Sequence, residues 1–330
     1  MRSILLCENP VARVWREAEM SALTAEFGSD GRVYKSSELG DSDFSDVQFV
    51  FSTWGMPHLS EETIRDRLPS LKAVFYGAGS VQSFAREFLS CKVRVFSAWQ
   101  ANAIPVVEYA VSQIVLANKG YFVSHGVRSG SDMQKKRSLS VKYPGNYGAK
   151  VGILGAGQIG RRVIERLRRD YRLDVYVFDP FLPDEKAKEL GVKKTDLKTI
   201  FSSCVTISNH LANNPQTVGI ITRELLMSLP ERCTFINTGR GAQADHAALY
   251  DAMKARPEAS ALLDVTWPEP LDDSDPLYTL PNVIITPHIA GSQEDECERM
   301  AEYMLDEARR FVNGEPLRYE VTEEMLKTMA

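Results

Sequence analysis

"VGILGAGQIG", residues Val151–Gly160, decides how the fold is read. An aliphatic run enters a glycine-rich turn, after which Ile159, Val163 and Leu167 recur at helical spacing. Gly155, Gly157 and Gly160 satisfy GxGxxG, a spacing that three glycines meet by chance in many chains. The strand before it and the helix after it give it weight over a plain βα turn. Gly155 would allow the tight turn, Gly157 the close approach of a pyrophosphate, and Gly160 the packing of helix on strand. The phosphates would rest on free N–H groups at the helix N-terminus. Asp179 ends the next strand, 19 residues beyond Gly160, where a carboxylate accepts hydrogen bonds from ribose hydroxyls. Pro180 and Phe181 follow it and bring no cation for a 2′-phosphate, so the expected cofactor is NAD rather than NADP.

Such a motif usually opens a domain, yet about 150 residues precede it. Outward toward the N-terminus, "SILLC", "GRVYK", "VQFVF", "LKAVFY" and "VRVFS" read as strands, with helical patterns over 11–27, 60–68 and 81–90. They make a complete doubly wound unit of about five strands. An amphipathic stretch over 102–120 carries Val106, Ala110, Ile114 and Ala117 on one face, and a polar stretch over 126–142 reads as an exposed connection. Toward the C-terminus the strands are "KVGILG", "LDVYVFD", "CVTISN", "CTFINT", "SALLDV" and "NVIITP", with a short extra strand near Val192. A helix over 293–313 precedes a charged tail. Strands alternating with helices from end to end predict an α/β protein with two doubly wound parallel sheets.

A second, incomplete glycine turn lies in "YGAGSVQSF", where Gly77 and Gly79 are present and Gln82 takes the third place. It also follows a strand, so it either turns tightly at the surface or presents N–H groups to an anion smaller than a dinucleotide.

Composition narrows the function. The 330 residues are 44% hydrophobic and 25% charged, enough for two domains at roughly 100–200 residues each. A net charge of -5 gives no basic field for nucleic acid or an anionic membrane. No apolar run approaches the roughly 18 residues of a spanning helix. The start, "MRSILLCENP", is broken by Glu8 and Pro10 and is not expected to be a secretory signal. Cys7, Cys91, Cys204, Cys233 and Cys297 lack metal-ligand spacing, which predicts reduced thiols in a cytoplasmic protein and no metal site.

In open α/β sheets ligands bind beyond the carboxyl ends of the strands. There "TFINTGRG" delivers Arg240, "LLDVTWPEPL" delivers Asp264 and Glu269, and "VIITPHIAG" delivers His288. Each taken singly reads equally as a salt-bridge partner or a solvated loop residue; together, on the edge of the glycine turn, they describe a reaction. When a nicotinamide exchanges hydride with a carbonyl carbon, the accompanying proton needs a group titrating near neutrality, which suits His. A carboxylate on the ring fixes its tautomer and favours imidazolium. Arg holds a substrate carboxylate and polarises the adjacent carbonyl. The set fits reduction of a 2-oxo acid to a 2-hydroxy acid.

At this point the chain resembles the D-isomer-specific 2-hydroxyacid dehydrogenase family over nearly its whole length, through "GILGAGQIGR", "FDP", "NTGRGA", "DVTWPEPL" and "NVIITPHIAG" in that order. The resemblance implies His288 as acid–base, Glu269 as its partner and Arg240 as the substrate-binding residue. It implies a cofactor set of Gly155, Gly157, Gln158, Ile159, Gly160, Asp179, His210, Ala212, Thr217, Thr238, Asp264 and Gly291, with Asp264 on the nicotinamide carboxamide. Gly77, Gly79 and Ser80 would bind the substrate carboxylate, and Trp54, in "STWGMPHL", would narrow or line the pocket with Met56, His58 there being a surface or structural residue. A Rossmann NAD-binding domain over 99–291 would be inserted into a smaller, flavodoxin-like substrate domain formed by 1–98 and 292–330. A homodimer through the nucleotide domain is implied. The chain departs from the family at "GSVQSF", at Trp99 in "SAWQAN" and at Ala212, which bears on pocket shape. Glu269 stands where formate dehydrogenases carry Gln. The lack of an appended regulatory domain after residue 330 argues against the long phosphoglycerate dehydrogenases, and no Arg or Lys cluster near Gly77–Gly79 calls for a phosphorylated acid. The alternative from another class is a nicotinamide-responsive binding protein of the same fold.

Overall fold

The computed structural model describes residues 1–329. The chain packs as two compact units, Met1–Ile104 with Ser292–Ala330, and Pro105–Gly291.

In the first unit β1 (Ser3–Leu6), β2 (Val33–Tyr34), β3 (Phe49–Ser52), β4 (Ala73–Tyr76) and β5 (Arg94–Ser97) run parallel. The second unit holds β6 (Tyr147–Leu154), β7 (Arg172–Phe178), β8 (Lys193–Lys194), β9 (Thr206–Asn209), β10 (Thr234–Asn237), β11 (Ser260–Leu263) and β12 (Val283–Ile285), also parallel. A last strand, β13 (Glu320–Val321), belongs to the first unit.

The first sheet has the order β13-β5-β4-β3-β1-β2. Its strands β1, β3 and β4 are buried on both faces, as parallel strands covered by helices must be. On one face Phe51, Phe75 and Phe96 stand in register on adjacent strands and stack with centroids 5.2 and 5.0 Å apart. Phe311 of the helix Asp295–Asn313 meets Phe75 and Phe96 edge-on. Burying each ring contributes roughly 1.5–3 kcal/mol, so this face anchors the C-terminal helix.

The second sheet has the order β12-β11-β10-β9-β6-β7-β8. The first strand in sequence, β6, lies inside the sheet, and the chain leaves it first toward β7 and β8 and then toward β9 to β12. That reversal is the switch point where such sheets bind ligands. Leu154, Phe178, Asn209, Asn237, Leu263 and Ile285 stand in one row across it. The next residue on each strand therefore emerges on the same edge: Gly155, Asp179, His210, Thr238, Asp264 and Thr286.

Five expectations need correction. The first helix spans Glu17–Phe27, because residues from Val11 onward form turns closed by Val14 and Trp15 N–H groups on the Val11 carbonyl. The third starts at Ala85, and the amphipathic helix spans Trp99–Ala117. The polar stretch is not merely a connection: Gly130–Ser140 is a helix, capped by Ser129 Oγ accepting from Asp132 N–H, with none of its residues buried. It lacks an apolar stripe and so left no periodicity to read, although its cap and its Lys, Gln and Arg residues favour helix. The charged tail supplies β13, antiparallel to β5, which makes the first sheet six-stranded.

Candidate active site

The glycine turn forms as its residues dictate. Gly155 has φ +86°, and its N–H donates to Phe178 O at 2.8 Å. A Cβ on Gly160 would stand 1.9 Å from Gly155 O, so only glycine lets the helix Gln158–Asp170 start directly beneath the turn. Gly157 caps that helix without a side-chain acceptor, and space around it is open, which leaves first-turn N–H groups for an anion. Asp179 is tied to the turn: Oδ2 accepts from Ala156 N–H at 2.7 Å and Oδ1 from Phe181 N–H at 2.8 Å. Gln158 is exposed and Ile159 packs partly into the core beneath. These residues fit a dinucleotide, the phosphates on the helix N-terminus and a ribose on Asp179.

Next along the row, His210 is buried between hydroxyls, Nε2 2.9 Å from Ser208 Oγ and Nδ1 3.1 Å from Thr238 Oγ1. Burial pushes its pKa down to about 4, so the ring is neutral. The loop after it is held by Thr217, whose hydroxyl donates to Ala212 O at 2.7 Å, and by Gln243 Nε2, donating to Leu211 O and Ala212 O. Gln243 is fully buried; its Oε1 accepts from Asn209 Nδ2 at 2.7 Å and from Arg240 N–H at 3.0 Å, and Asn209 also bonds Asn237. This Asn209–Asn237–Gln243 network, absent from the sequence reading, fixes the backbone at Arg240. Two of its members were detectable as the polar residues ending "CVTISN" and "TFINT"; Gln243 had no local signal.

Arg240 is half-buried, its Nη1 donating to Gly239 O at 2.7 Å. Burial lowers its pKa, and the Glu269 carboxylate acts against that. The loops carrying them touch: a Cβ on Gly241 would meet Thr266 C and O at 2.0 Å. Glu269 Oε1 receives His288 Nδ1 at 2.6 Å, and Oε2 lies 3.4 Å from Thr266 N. An ionised carboxylate only accepts, so Nδ1 carries the proton and Nε2 is the nitrogen left for a substrate. Both side chains are open to solvent.

His288 holds φ +56°, uncommon outside glycine and worth roughly 1–3 kcal/mol of strain. Asp264, buried beneath it, brackets the residue. Its Oδ1 accepts from Thr286 Oγ1 at 2.7 Å and Ile289 N–H at 2.9 Å, and its Oδ2 from Ala290 N–H at 2.9 Å, just before Gly291. Tyr109 OH lies 3.0 Å from the same threonine hydroxyl. Asp264 thus acts on the loop that presents His288, a part the sequence did not suggest for it.

In the first unit the carbonyls of the Gly77–Ser80 turn are held. Thr53 Oγ1 donates to Gly77 O at 3.0 Å, and Ser97 Oγ to Ala78 O and Gly79 O at 2.8 Å each. Among the described residues no acceptor meets the Gly79 or Ser80 N–H groups. Trp54 is half-buried against both cores of this unit.

Comparison with known proteins agrees with this layout. Residues 116–290 match the family described as D-isomer specific 2-hydroxyacid dehydrogenase, NAD binding domain. D-3-phosphoglycerate dehydrogenase of Archaeoglobus fulgidus is 30% identical over 225 residues, 68% of this chain and 42% of that protein. Glyoxylate reductase of Korarchaeum cryptofilum is 33% identical over 181 residues, 55% of this chain and 54% of that one. The matched region spans less than half the length of three curated phosphoglycerate dehydrogenases that it matches. The solved apo structure of Rhodotorula graminis D-mandelate dehydrogenase shares the fold, with a TM-score of 0.79 at 19% identity over 97% of this chain and 98% of that one. The chain therefore belongs to the D-isomer-specific 2-hydroxyacid dehydrogenases, a family of NAD-dependent oxidoreductases, and carries that family's NAD-binding domain.

Proposed function

We propose that the chain interconverts a small 2-oxo acid and its D-2-hydroxy acid with NAD(H). The observation that carries this reading is the 2.6 Å His288–Glu269 pair on the sheet edge that also bears the glycine turn and Arg240. Bound NADH would supply the hydride that reaches C2 of the acid. His288 would give its Nε2 proton to the carbonyl oxygen as that hydride arrives, and take it back in the reverse direction. Glu269, in contact with Nδ1, would hold the ring in the orientation from which the Nε2 proton leaves. Arg240, half-buried beside them, would pair with the acid's carboxylate and draw charge toward the carbonyl oxygen. The unpaired N–H groups at Gly79 and Ser80 suit a carboxylate as well. His210, buried and neutral, is a supporting residue, not a second acid.

The test follows NADH absorbance at 340 nm across 2-oxo acids from glyoxylate to phenylpyruvate, with phosphohydroxypyruvate included. Turnover is expected on at least one, and His288→Ala should lower kcat by roughly 10²–10⁴ with NADH affinity nearly unchanged. Full turnover in that variant would sink the assignment of His288. NADH binding without turnover of any acid would favour a sensing protein instead.

The same reading takes the chain to pair with a second copy through its second unit. There Tyr121, Val127, Met133, Val141 and Tyr147 are exposed on and around a helix that buries none of its own residues. A sedimenting mass of one chain, 36.9 kDa, would rule the pairing out.

A further inference from the structure

The order β4-β3-β1 places three parallel strands side by side, so the loops after them emerge together on one edge of the first unit. The loop after β4 is the Gly77–Ser80 turn, and the loop after β3 carries Trp54. The loop after β1 lies against both. A Cβ on Gly77 would stand 2.9 Å from Val14 Cγ1, one on Gly55 2.8 Å from Asn9, and Trp15 Nε1 donates to Ser52 O at 3.1 Å. That loop brings a cation, Arg13, to this edge.

The guanidinium of Arg13 lies 5.6 Å from the Trp54 ring centroid, and its Nη2 donates to Gln293 Oε1 at 3.1 Å. The neighbouring Ser292 N–H donates to Asn102 Oδ1 at 3.0 Å, and Asn102 Nδ2 is 3.4 Å from where a Cβ on Gly79 would be. A run of neighbours thus leads from Arg13 through Gln293, Ser292 and Asn102 to Gly79 of the turn. Arg16, three residues on, is occupied by Asp295 at 3.1 Å and Glu298 at 3.6 Å. Among the described residues Arg13 has no carboxylate at ion-pairing distance; its side-chain partner is a neutral amide. An exposed guanidinium laid over an indole, with acidic residues following its amide partner but no carboxylate in contact with it among the described residues, has donors left for an anion from outside.

We propose that Arg13 is a specificity-determining residue, binding a second anionic group, carboxylate or phosphate, at the far end of the substrate. This rests on the function proposed above: the 2-oxo acid's own carboxylate goes to the Gly77–Ser80 turn of the same unit, and Arg13 selects acids with a further negative charge. One arginine, without a cluster around it, suffices for a single distal group. Trp54 holds the guanidinium plane and limits the width of what reaches it.

The test compares kcat/KM within charged and neutral pairs of similar size, for wild type, Arg13→Lys and Arg13→Met. The pairs are 2-oxoglutarate against 2-oxoglutaramate for a distal carboxylate, and phosphohydroxypyruvate against hydroxypyruvate for a phosphate. Wild type should prefer the charged member of at least one pair by about tenfold or more, and the pair that responds identifies the group. In Arg13→Met that ratio should collapse toward one, while Arg13→Lys, keeping charge but not the fork, retains part of it. Raising salt should erode the wild-type preference. A wild-type preference for the neutral members, or a ratio unmoved in Arg13→Met, overturns the subsite alone. Turnover of no pair while NADH binds overturns the reaction, and the subsite with it.

Discussion

Two glycine turns follow strands in this molecule, and they differ in what comes third. At Gly155–Gly160 the third position is glycine, and the helix begins at Gln158, pressed against the turn. At Gly77–Gly79 the corresponding residue is Gln82, and no helix begins until Ala85. The first arrangement aims a helix N-terminus at open space and suits a pyrophosphate. The second leaves a looser turn with two adjacent free N–H groups and suits one carboxylate. Gln82 instead donates to Leu326 O and Met329 O, at 2.9 and 2.8 Å, tying the C-terminal segment to this turn. The third position of the motif thus packs a helix start at one turn and ties down a distant segment at the other.

The comparison breaks most severely at Gly160. Gly160→Ala pushes a methyl into the Gly155 carbonyl, and backbone cannot yield as a side-chain tip can. NADH affinity, read by nucleotide fluorescence, should fall about a hundredfold or more, equivalent to roughly 3 kcal/mol. Unchanged affinity would mean that the helix N-terminus does not carry the phosphates.

The turns also differ in what supports them. Gly155 rests on the backbone of His210, whose carbonyl oxygen would lie 2.8 Å from a Cβ there. The buried His210 has its pKa depressed to about 4, below the unfolded value near 6.5. Below pH 6.5 the unfolded chain binds a proton that the folded chain does not, so stability present above 6.5 is lost as pH falls toward 4. The loss is roughly 1.4 kcal/mol per pH unit, about 3 kcal/mol in all. Denaturant midpoints of wild type and His210→Gln, taken from pH 7 to pH 4.5, should therefore shift in the variant's favour as pH drops. Parallel curves would show that this ring does not govern the acid limb.

The smallest effect falls on the other turn. Ser97→Ala removes the one hydroxyl proton that the Ala78 and Gly79 carbonyls share, worth about 0.5–1.5 kcal/mol. KM for the 2-oxo acid should rise roughly tenfold with NADH affinity unmoved. A matching loss in NADH affinity would show that the two turns are not separate binding elements.

Much of this was present in the sequence because it is local. The GxGxxG spacing, the alternation of strands and helices, and the placing of Arg240, Asp264, Glu269 and His288 after successive strands all follow from neighbours along the chain. Parallel pairing turns "after a strand" into "on one edge", which is why residues on separate strands could be grouped before any contact was known. Tertiary structure alone decided how those residues are held. The two carboxylate oxygens of Asp264 serve the His288 loop, and Gln243 bonds Asn209 across a separation of 34 residues. Nothing in local periodicity encodes such pairings. β13, too short to show a pattern, forms because β5 offers it an open edge. Whether a surface arginine enters an ion pair, as Arg16 does, or meets a neutral amide, as Arg13 does, depends on which side chains the fold brings near. Backbone preference and hydrophobic period act over a few residues, whereas partners for buried polar groups and charges are set by packing between distant segments.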